Sequence, residues 1–184
     1  MKKVLIIVGI VMAFFCFTAV GEYNSFQTKS VAVDSSWSQV ENQMQRRADL
    51  IPNLVSTVKG FTTHEEKVVQ SVTDARAKMA SAQTPVEKDE ANTELNGALS
   101  RLMMVVENYP NIKADQHYSE LMSQLEGSEN RIAVARKNYN AKVQEYNTSI
   151  KTFPSVVFAN GFGFTERQLF TADESAKTAP KVEF

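Results

Sequence analysis

An uncharged, apolar run near the N-terminus limits the folds that this chain can adopt. Residues 4–20 contain no charged side chain; Lys2 and Lys3 precede them, and Gly21 and Glu22 follow. As a helix the run is about 26 Å long, slightly short of the ~30 Å hydrocarbon core of a bilayer but within the range of a span. The run has no polar face, which argues against a helix buried in a soluble core. We therefore predict a transmembrane helix within residues 1–22.

A cleaved signal peptide is the competing interpretation of the same run. Ala19 and Gly21 are small residues that suit a cut before Glu22, whereas the run is longer than the 7–15 residues usual for such a leader. A lipoprotein signal fits less well, because Cys16 follows two phenylalanines instead of a small residue. The length favours an uncleaved single-pass anchor. Lys2 and Lys3 then place the rest of the chain outside the cytoplasm, since basic flanks stay inside.

The remainder of the 184 residues is enough for one domain of ordinary size. The whole chain carries 20 Lys and Arg against 21 Asp and Glu, so no basic surplus is present, and we do not expect a nucleic-acid partner. The single cysteine lies in the apolar run. The domain therefore has neither an intrachain disulfide nor a cysteine metal site.

Apolar residues recur at helical spacing from residue 33 to residue 79, which predicts either one long helix or two helices that divide near Gly60. Asp34, Ser35 and Ser36 are candidate N-caps, and Ser38 with Glu41 fits a capping box. Thr63 and Glu66 fit a second box after Gly60. Pro52 removes a helical hydrogen bond, so we expect a kink there.

Two further helices follow. Thr84, Pro85 and Glu87 combine an N-cap, a proline at the first helical position and a capping-box glutamate; this helix is expected to end near Tyr109 and Pro110. The last stripe continues by threes and fours from Tyr118 to Ile150, a spacing typical of coiled-coil packing. The fold class is therefore all-α: an antiparallel bundle of three long helices, or four if the first divides near Gly60, behind an N-terminal transmembrane helix.

The end of the chain has a different composition. Five phenylalanines cluster between Phe153 and Phe170. They predict a short helix, residues 154–160 capped by Gly161, that folds back on the bundle; the alternative is a second contact with lipid or a partner. The polar residues 171–184 predict a disordered tail. The predicted organisation is an anchor at 1–22, a helical domain at 23–170 and a tail at 171–184.

The sequence offers little catalytic chemistry. His64 begins a zinc-protease-like motif, but Val68 stands where the second histidine is needed. Gly161 and Gly163 form a lone pair without a preceding strand, so they are not a phosphate cradle. We expect no enzyme, no catalytic or metal site, no cofactor and no small-molecule substrate. A hydrolase that uses paired carboxylates would require a polar pocket that the periodicity does not predict.

Several polar residues flank the apolar stripes, and Glu129 is one of them. They are interpreted either as salt bridges and hydrogen bonds that fix helix register, or as a surface that binds a peptide or partner helix. Tyr139 with Asn140 and Tyr146 with Asn147 repeat one heptad apart, so both pairs share a face. We name eight of these residues the polar seam, the candidate interaction site: Arg47, Asp49, Asn53, Arg101, Glu107, Arg136, Asn140 and Asn147.

Runs of sequence in a fixed order resemble the LemA family of bacterial membrane-associated proteins. The most specific is residues 46–55, RRADLIPNLV, and the others are residues 23–24, 58–60, 64–65, 98–102, 107–114, 132–136, both Tyr-Asn pairs and 153–154. The resemblance implies a helical bundle behind an N-terminal membrane segment, without established enzymatic activity; one branch of the family takes part in forming magnetosome membranes. It carries over no site residues. Gly21 and Glu22 stand where some members have a lipidation cysteine.

Two functions follow as expectations. The first is a membrane-anchored helical scaffold or adaptor of the bacterial envelope, which acts through protein or lipid contacts and has a protein partner. The second is a binding module released outside the cytoplasm after the leader is cleaved.

Overall fold

The computed structural model describes residues 1–61 and 65–170, and every regular element among them is helical. The predicted all-α fold is confirmed. The six helices are α1 (Lys2–Phe61), α2 (Glu66–Ser81), α3 (Pro85–Val106), α4 (Pro110–Lys113), α5 (Gln116–Lys151) and α6 (Ser155–Phe162). Because α1 ends just after Gly60 and α2 begins at Glu66, the first stripe divides as the second alternative proposed. Thr63 and the predicted tail, residues 171–184, lie outside the described residues.

The described residues group into two compact units. Unit 1 consists of Met1–Gln39 and Lys137–Leu169, which are the first part of α1, the end of α5, and α6. Unit 2 contains Val40–Arg136 together with Phe170, and so takes in the rest of α1, helices α2 to α4 and the beginning of α5. Helix α1 has no break at residue 22. The division into anchor, domain and tail stays a prediction.

The predicted helix start at Asp34, Ser35 or Ser36 is wrong, because α1 runs through these residues without interruption. The Ser36 and Ser38 hydroxyls donate to carbonyls one turn earlier in the same helix, at 2.9 and 3.1 Å, instead of capping a new one. The physical reason is cooperativity. Extending a helix that already exists adds one bond for each residue, whereas a new start requires a costly nucleus.

Pro52 lies inside α1 and leaves the Ala48 carbonyl without its helical N–H donor. The structure supplies a replacement from the next helix, since Arg76 Nε of α2 donates to Ala48 O at 2.9 Å. Ala48 is buried, so its carbonyl requires a protein donor. This bond joins α2 to α1 within unit 2, and the kink at Pro52 stays a prediction.

The predicted start of α3 is confirmed. Thr84 Oγ1 accepts from the Glu87 amide at 3.2 Å, and the Glu87 carboxylate accepts from the Gln83 and Thr84 amides at 2.8 and 3.2 Å. These bonds, the one from Gln83 first, lower the pKa of Glu87. Helices α2 and α3 pair through a short connection. The core of unit 2 is apolar and includes Met44, Ile51, Leu54, Val72, Leu95, Leu102 and Ile132.

The short C-terminal helix is confirmed, but its cap is Gly163 and not Gly161. Gly163 adopts a left-handed backbone with φ of 78°, which glycine tolerates without strain. The Phe164 amide then reaches Ala159 O at 3.0 Å and the Gly163 amide reaches Asn160 O at 3.3 Å, the pair of bonds that defines a Schellman motif. Packing decides the position: ending α6 at Gly163 brings the Phe164 ring against Phe26 of α1, with centroids 5.2 Å apart.

Candidate functional site

Arg47 lies on the buried face of α1, between the core residues Met44 and Ile51. Only 4% of its side chain is exposed. Desolvation lowers the pKa of Arg47, and the nearby carboxylate of Glu129 opposes that shift. A guanidinium in such a place requires polar partners from neighbouring helices, because an unpaired buried charge is very costly.

Those partners come from α3 and α5. Arg47 Nη1 donates to Asn92 Oδ1 at 2.8 Å and forms an ion pair with the Glu129 carboxylate, while Nη2 donates to Asn96 Oδ1 at 2.6 Å. The amide nitrogens of Asn92 and Asn96 in turn donate to Glu129 Oε1 at 3.5 and 3.4 Å. Each asparagine therefore bridges the cation and the anion. Arg47 Nε is buried and has no hydrogen-bond partner within the described ranges.

A cavity of about 690 Å³ opens beside this network, between α3 and α5. We call it the α3–α5 cleft. On α3 it extends from Asn96 to Val106, with Glu107 just after the helix, and on α5 from Tyr118 to Glu129, a length of about 16 Å at the helical rise. Its apolar lining consists of Leu99, Met103, Val106, Met122 and Leu125. Arg47, Asn96 and Glu129 form its polar part.

The charged side chains that line the cleft have a small acidic excess. Glu107, Glu126 and Glu129 line it, together with Lys113 and Arg47, and the charge of Arg47 is already matched by Glu129. Tyr118 is buried there, and desolvation raises its pKa. The cleft is therefore an apolar trough with acidic edges and one polar end.

The structure brings only two residues of the polar seam together at this site, Arg47 and Glu107. Asp49, Asn53 and Arg101 are exposed, and Asp49 accepts a hydrogen bond from Gln45 of its own helix at 2.8 Å. None of these three lines the cleft.

Arg136, also in unit 2, has structural contacts. It forms an ion pair with Asp89 of α3 at 2.5 Å. Its guanidinium carbon lies 4.7 Å from the centre of the Phe170 ring, a distance suited to a cation–π contact. These contacts hold α5, α3 and Phe170 together.

The last two residues of the polar seam, Asn140 and Asn147, belong to unit 1. Asn147 exchanges two hydrogen bonds with the backbone of Arg167, at 2.8 and 2.9 Å. The Tyr139 and Tyr146 hydroxyls donate to Gln168 O and Thr165 O at 2.9 and 3.0 Å. Burial raises the pKa of both tyrosines. One face of α5 thus holds residues 165–168 of its own chain, while Asn140 is half-buried. A single seam that binds a partner stays a prediction.

Sequence reasoning missed Asn92 and Asn96, the residues that complete the network. Two signals point to them. Arg47 sits at stripe spacing, three residues after Met44 and four before Ile51, so it requires polar partners. Asn92 and Asn96 are spaced four apart beside the core residues Ala91 and Leu95, and so lie on one face of α3.

Among residues 1–61 and 65–170, no group of three or more His, Cys, Asp and Glu side chains is placed to hold a metal ion. His64, the start of the zinc-protease-like motif, lies outside the described residues. Helix α1 is long and apolar enough to cross a membrane, and the apolar stretch that qualifies it is not buried at all in the structure.

Comparison with known proteins places these features in a family. Residues 36–184 match the model of the LemA family. The chain is 29% identical to the magnetosome proteins MamQ 1 and MamQ 2 of Paramagnetospirillum magneticum, over 89% of this chain and 70% of each relative. It is 23% identical to protein LemA of Metamycoplasma hominis, over 87% of this chain and 74% of that protein.

Proposed function

The chain belongs to the LemA family, and from that premise we propose that it is a membrane-anchored adaptor of the bacterial envelope that binds a helix of a partner protein in the α3–α5 cleft. The observation that carries the proposal is the cleft itself: an apolar trough between two helices, with the buried Arg47 network at one end. The similarity to LemA and MamQ proteins supports a membrane-associated role.

The anchor rests on the apolar part of α1. Its side chains are exposed from Val4 to Phe17, and a hydrocarbon environment shields such apolar side chains from water. Helix α1 continues through Gly21, and Glu22 accepts a hydrogen bond from Ser155 of α6 at 2.9 Å. Within the run itself, the ring of Phe15 lies 5.1 Å from that of Phe158 of α6. A cut before Glu22 would remove this contact, which supports retention of the leader over the alternative, a released binding module. Lys2 and Lys3 favour a cytoplasmic N-terminus and an extracytoplasmic body.

The occupant of the cleft is identified by its chemistry. A length of about 16 Å accommodates three turns of helix, and the unbranched side chains of Met103 and Met122 adapt to varied apolar partners. Acidic residues along the cleft favour a partner with Lys or Arg beside its apolar face. The partner is therefore an amphipathic helix with basic flanks, which is a known mode of groove recognition.

Binding is favoured over catalysis at this site. The carboxylate that lies deepest, Glu129, is committed to an ion pair with Arg47 and to both asparagines. A general acid or base needs a carboxylate that is free to exchange a proton with a substrate, whereas the oxygens of Glu129 are already engaged by these three side chains. This arrangement supports a function without enzymatic activity.

Site-specific photocrosslinking in native membranes tests the proposal. A photoreactive amino acid replaces Met122 in the cleft or, as the control, Val134, which is exposed on the same helix. We expect one discrete protein adduct at Met122 and none at Val134, and its crosslinked peptide should be an amphipathic helix with basic flanks.

Charge reversal makes the test specific. Glu107→Lys with Glu126→Lys should remove the Met122 adduct without changing the circular dichroism spectrum, because both side chains are exposed. Equal labelling at Met122 and Val134, or an adduct that survives the reversal, contradicts the proposal.

A further inference from the structure

Helix α6 and its flanks form an uncharged, largely exposed stretch of unit 1. Residues 152–165 contain no charged side chain. Phe153 is 85% exposed, and Val157 and Phe162 are also exposed. A helix of a soluble protein normally turns such residues inward, so this surface indicates an apolar environment outside the protein.

The same helix contacts the apolar part of α1. The rings of Phe158 and Phe15 lie 5.1 Å apart, and Phe15 belongs to the uncharged run at residues 4–20. Tyr23, just after that run, contacts the rings of Phe162 and Phe164 at 5.2 and 5.7 Å. The exposed surface of α6 is therefore continuous with the segment that crosses the membrane.

The position of Phe15 along α1 indicates how deep in the membrane its contact with Phe158 lies. Phe15 precedes the last residue of the run, Val20, by about 7–8 Å of helix. Amphipathic helices that lie in a membrane surface bury their apolar face about 5–10 Å into the boundary between head groups and acyl chains. The charged residues that flank this stretch in sequence, Lys151 and Glu166, are exposed and form an ion pair at 2.7 Å, as expected of groups on the water side. The Glu22 carboxylate, which follows the apolar run, accepts a hydrogen bond from Ser155 at the start of α6.

We propose that α6 is a membrane-interface helix, whose exposed apolar side chains Phe153, Val157 and Phe162 enter the lipid boundary beside α1. The occupant of this surface is the bilayer that α1 crosses, and the inference rests on the proposed anchor. The contacts between Phe15 and Phe158 and between Tyr23 and Phe162 then fix the depth at which α1 is held. Tyr23 itself has the residue type favoured at that level.

Tryptophan fluorescence in vesicles tests this directly, because the chain offers three valines of nearly equal exposure. They are Val157 of α6 at 58%, Val11 of the apolar run at 61% and Val134 of α5 at 59%. Each is replaced by Trp in a full-length Trp37→Phe background, which removes the only native tryptophan. The proteins are reconstituted into phosphatidylethanolamine–phosphatidylglycerol vesicles that contain phosphatidylcholine brominated either close to the head group or deep in the acyl chain.

We expect Val157→Trp to emit at shorter wavelength than Val134→Trp and to lose most of its emission to the shallow bromine. Val11→Trp should be quenched by the deep bromine, and Val134→Trp, which lies between Arg131 and Arg136, by neither. If Val11→Trp is quenched while Val157→Trp behaves like Val134→Trp, the interface helix is refuted and the anchor stands. If Val11→Trp is not quenched, the anchor fails, and the interface helix fails with it.

Discussion

Two stretches of the same helix, α1, differ completely in what surrounds their apolar side chains. Between residues 40 and 58, Val40, Met44, Ile51, Leu54 and Val58 are at most 1% exposed. Between residues 4 and 20, apolar side chains of the same types are exposed all round the helix. The first stretch is covered by other helices of unit 2, whereas the second stays largely exposed, even though the ring of Phe15 contacts that of Phe158 of α6. In the proposed anchor, a bilayer supplies the apolar environment that these side chains lack in the structure.

The polar residues of the two stretches differ in the same way. Residues 4–20 carry no charge, whereas the buried stretch contains Arg47 on its inward face. Unit 2 can hold this guanidinium because α3 and α5 provide acceptors for it. A lipid-facing arginine has no such partners, and its cost is correspondingly high. The buried stretch is therefore stabilised by specific contacts within the protein, whereas residues 4–20, apart from the contact of Phe15 with Phe158, depend on lipid in the proposed anchor.

The largest expected effect comes from leaving Arg47 without its counter-ion. Glu129→Leu should cost about 3–5 kcal/mol of unfolding free energy, because the buried guanidinium keeps its charge. Arg47→Leu should cost less, about 1.5–3 kcal/mol, because Glu129 is 36% exposed and reaches water.

Denaturant unfolding in detergent micelles measures both values, and the double variant should cost less than their sum. A larger loss of unfolding free energy for Arg47→Leu than for Glu129→Leu, or strict additivity of the two losses, would show that Glu129 does not compensate the buried charge of Arg47.

The next effect compares one substitution in the two stretches. Leu54 is fully buried, so Leu54→Ala should cost about 2–5 kcal/mol through lost packing and a cavity. Leu5 is 70% exposed on the same helix, and Leu5→Ala should change the unfolding free energy in micelles by no more than about 0.5 kcal/mol. Equal losses of unfolding free energy for Leu54→Ala and Leu5→Ala would mean that Leu5 is packed against protein as closely as Leu54, which would contradict the difference between the two stretches.

A smaller effect concerns how the buried stretch tolerates Pro52. Arg76→Leu removes the donor to the Ala48 carbonyl and should cost about 1–3 kcal/mol. In a Pro52→Ala background the cost should fall, because residue 52 regains the N–H that Ala48 lacks.

Arg46→Leu serves as the control, since Arg46 is exposed on α1 and its loss should matter by less than about 0.5 kcal/mol. The same unfolding experiment reports all four variants. If Arg76→Leu lowers the unfolding free energy equally with Pro52 and with alanine at position 52, Arg76 does not replace the N–H that Pro52 lacks.

The smallest effect is a pH dependence in the part of unit 1 where Tyr139 packs against Trp37 of α1, with ring centroids 5.6 Å apart. Burial raises the pKa of Tyr139 and Tyr146 above the unfolded value near 10. The unfolded chain then releases these protons at lower pH than the folded one, so their contribution is complete below about pH 10 and declines above it.

Unfolding free energies between about pH 9 and pH 11 should therefore fall more steeply in the original chain than in a Tyr139→Phe, Tyr146→Phe variant. Identical slopes would mean that burial does not perturb these hydroxyls.

The fold followed from the sequence where the signal was local or periodic. The Thr84–Glu87 box marks its own helix start, and the stripe from Tyr118 to Ile150 predicts α5 because its spacing persists over many turns. The prediction of a helix start at Asp34 to Ser36 failed, because these side chains can cap a new helix but can also lie in the middle of a helix that began earlier. The cap of α6 is at Gly163 and not at the predicted Gly161 because of a tertiary contact, the packing of Phe164.

The candidate site was predictable only in part. Arg47 was identified because it is one of the polar residues that flank the apolar stripes. Its acceptors Asn92 and Asn96 lie 45 and 49 residues away, and no local pattern pairs them with it. Asn147 was predicted to present a polar face, and that face holds the chain's own backbone at Arg167. Such pairings depend on how the helices meet, which periodicity does not specify.

The intact mass of the protein isolated from native membranes, combined with its N-terminal sequence, shows whether residues 1–21 are retained. We expect a chain in the membrane fraction that retains residues 1–21, because Phe15, within the apolar run, packs against Phe158 of α6 with ring centroids 5.1 Å apart. A chain that begins at Glu22 and is recovered in the soluble envelope fraction would contradict it, and would leave a released binding module in place of an anchored adaptor.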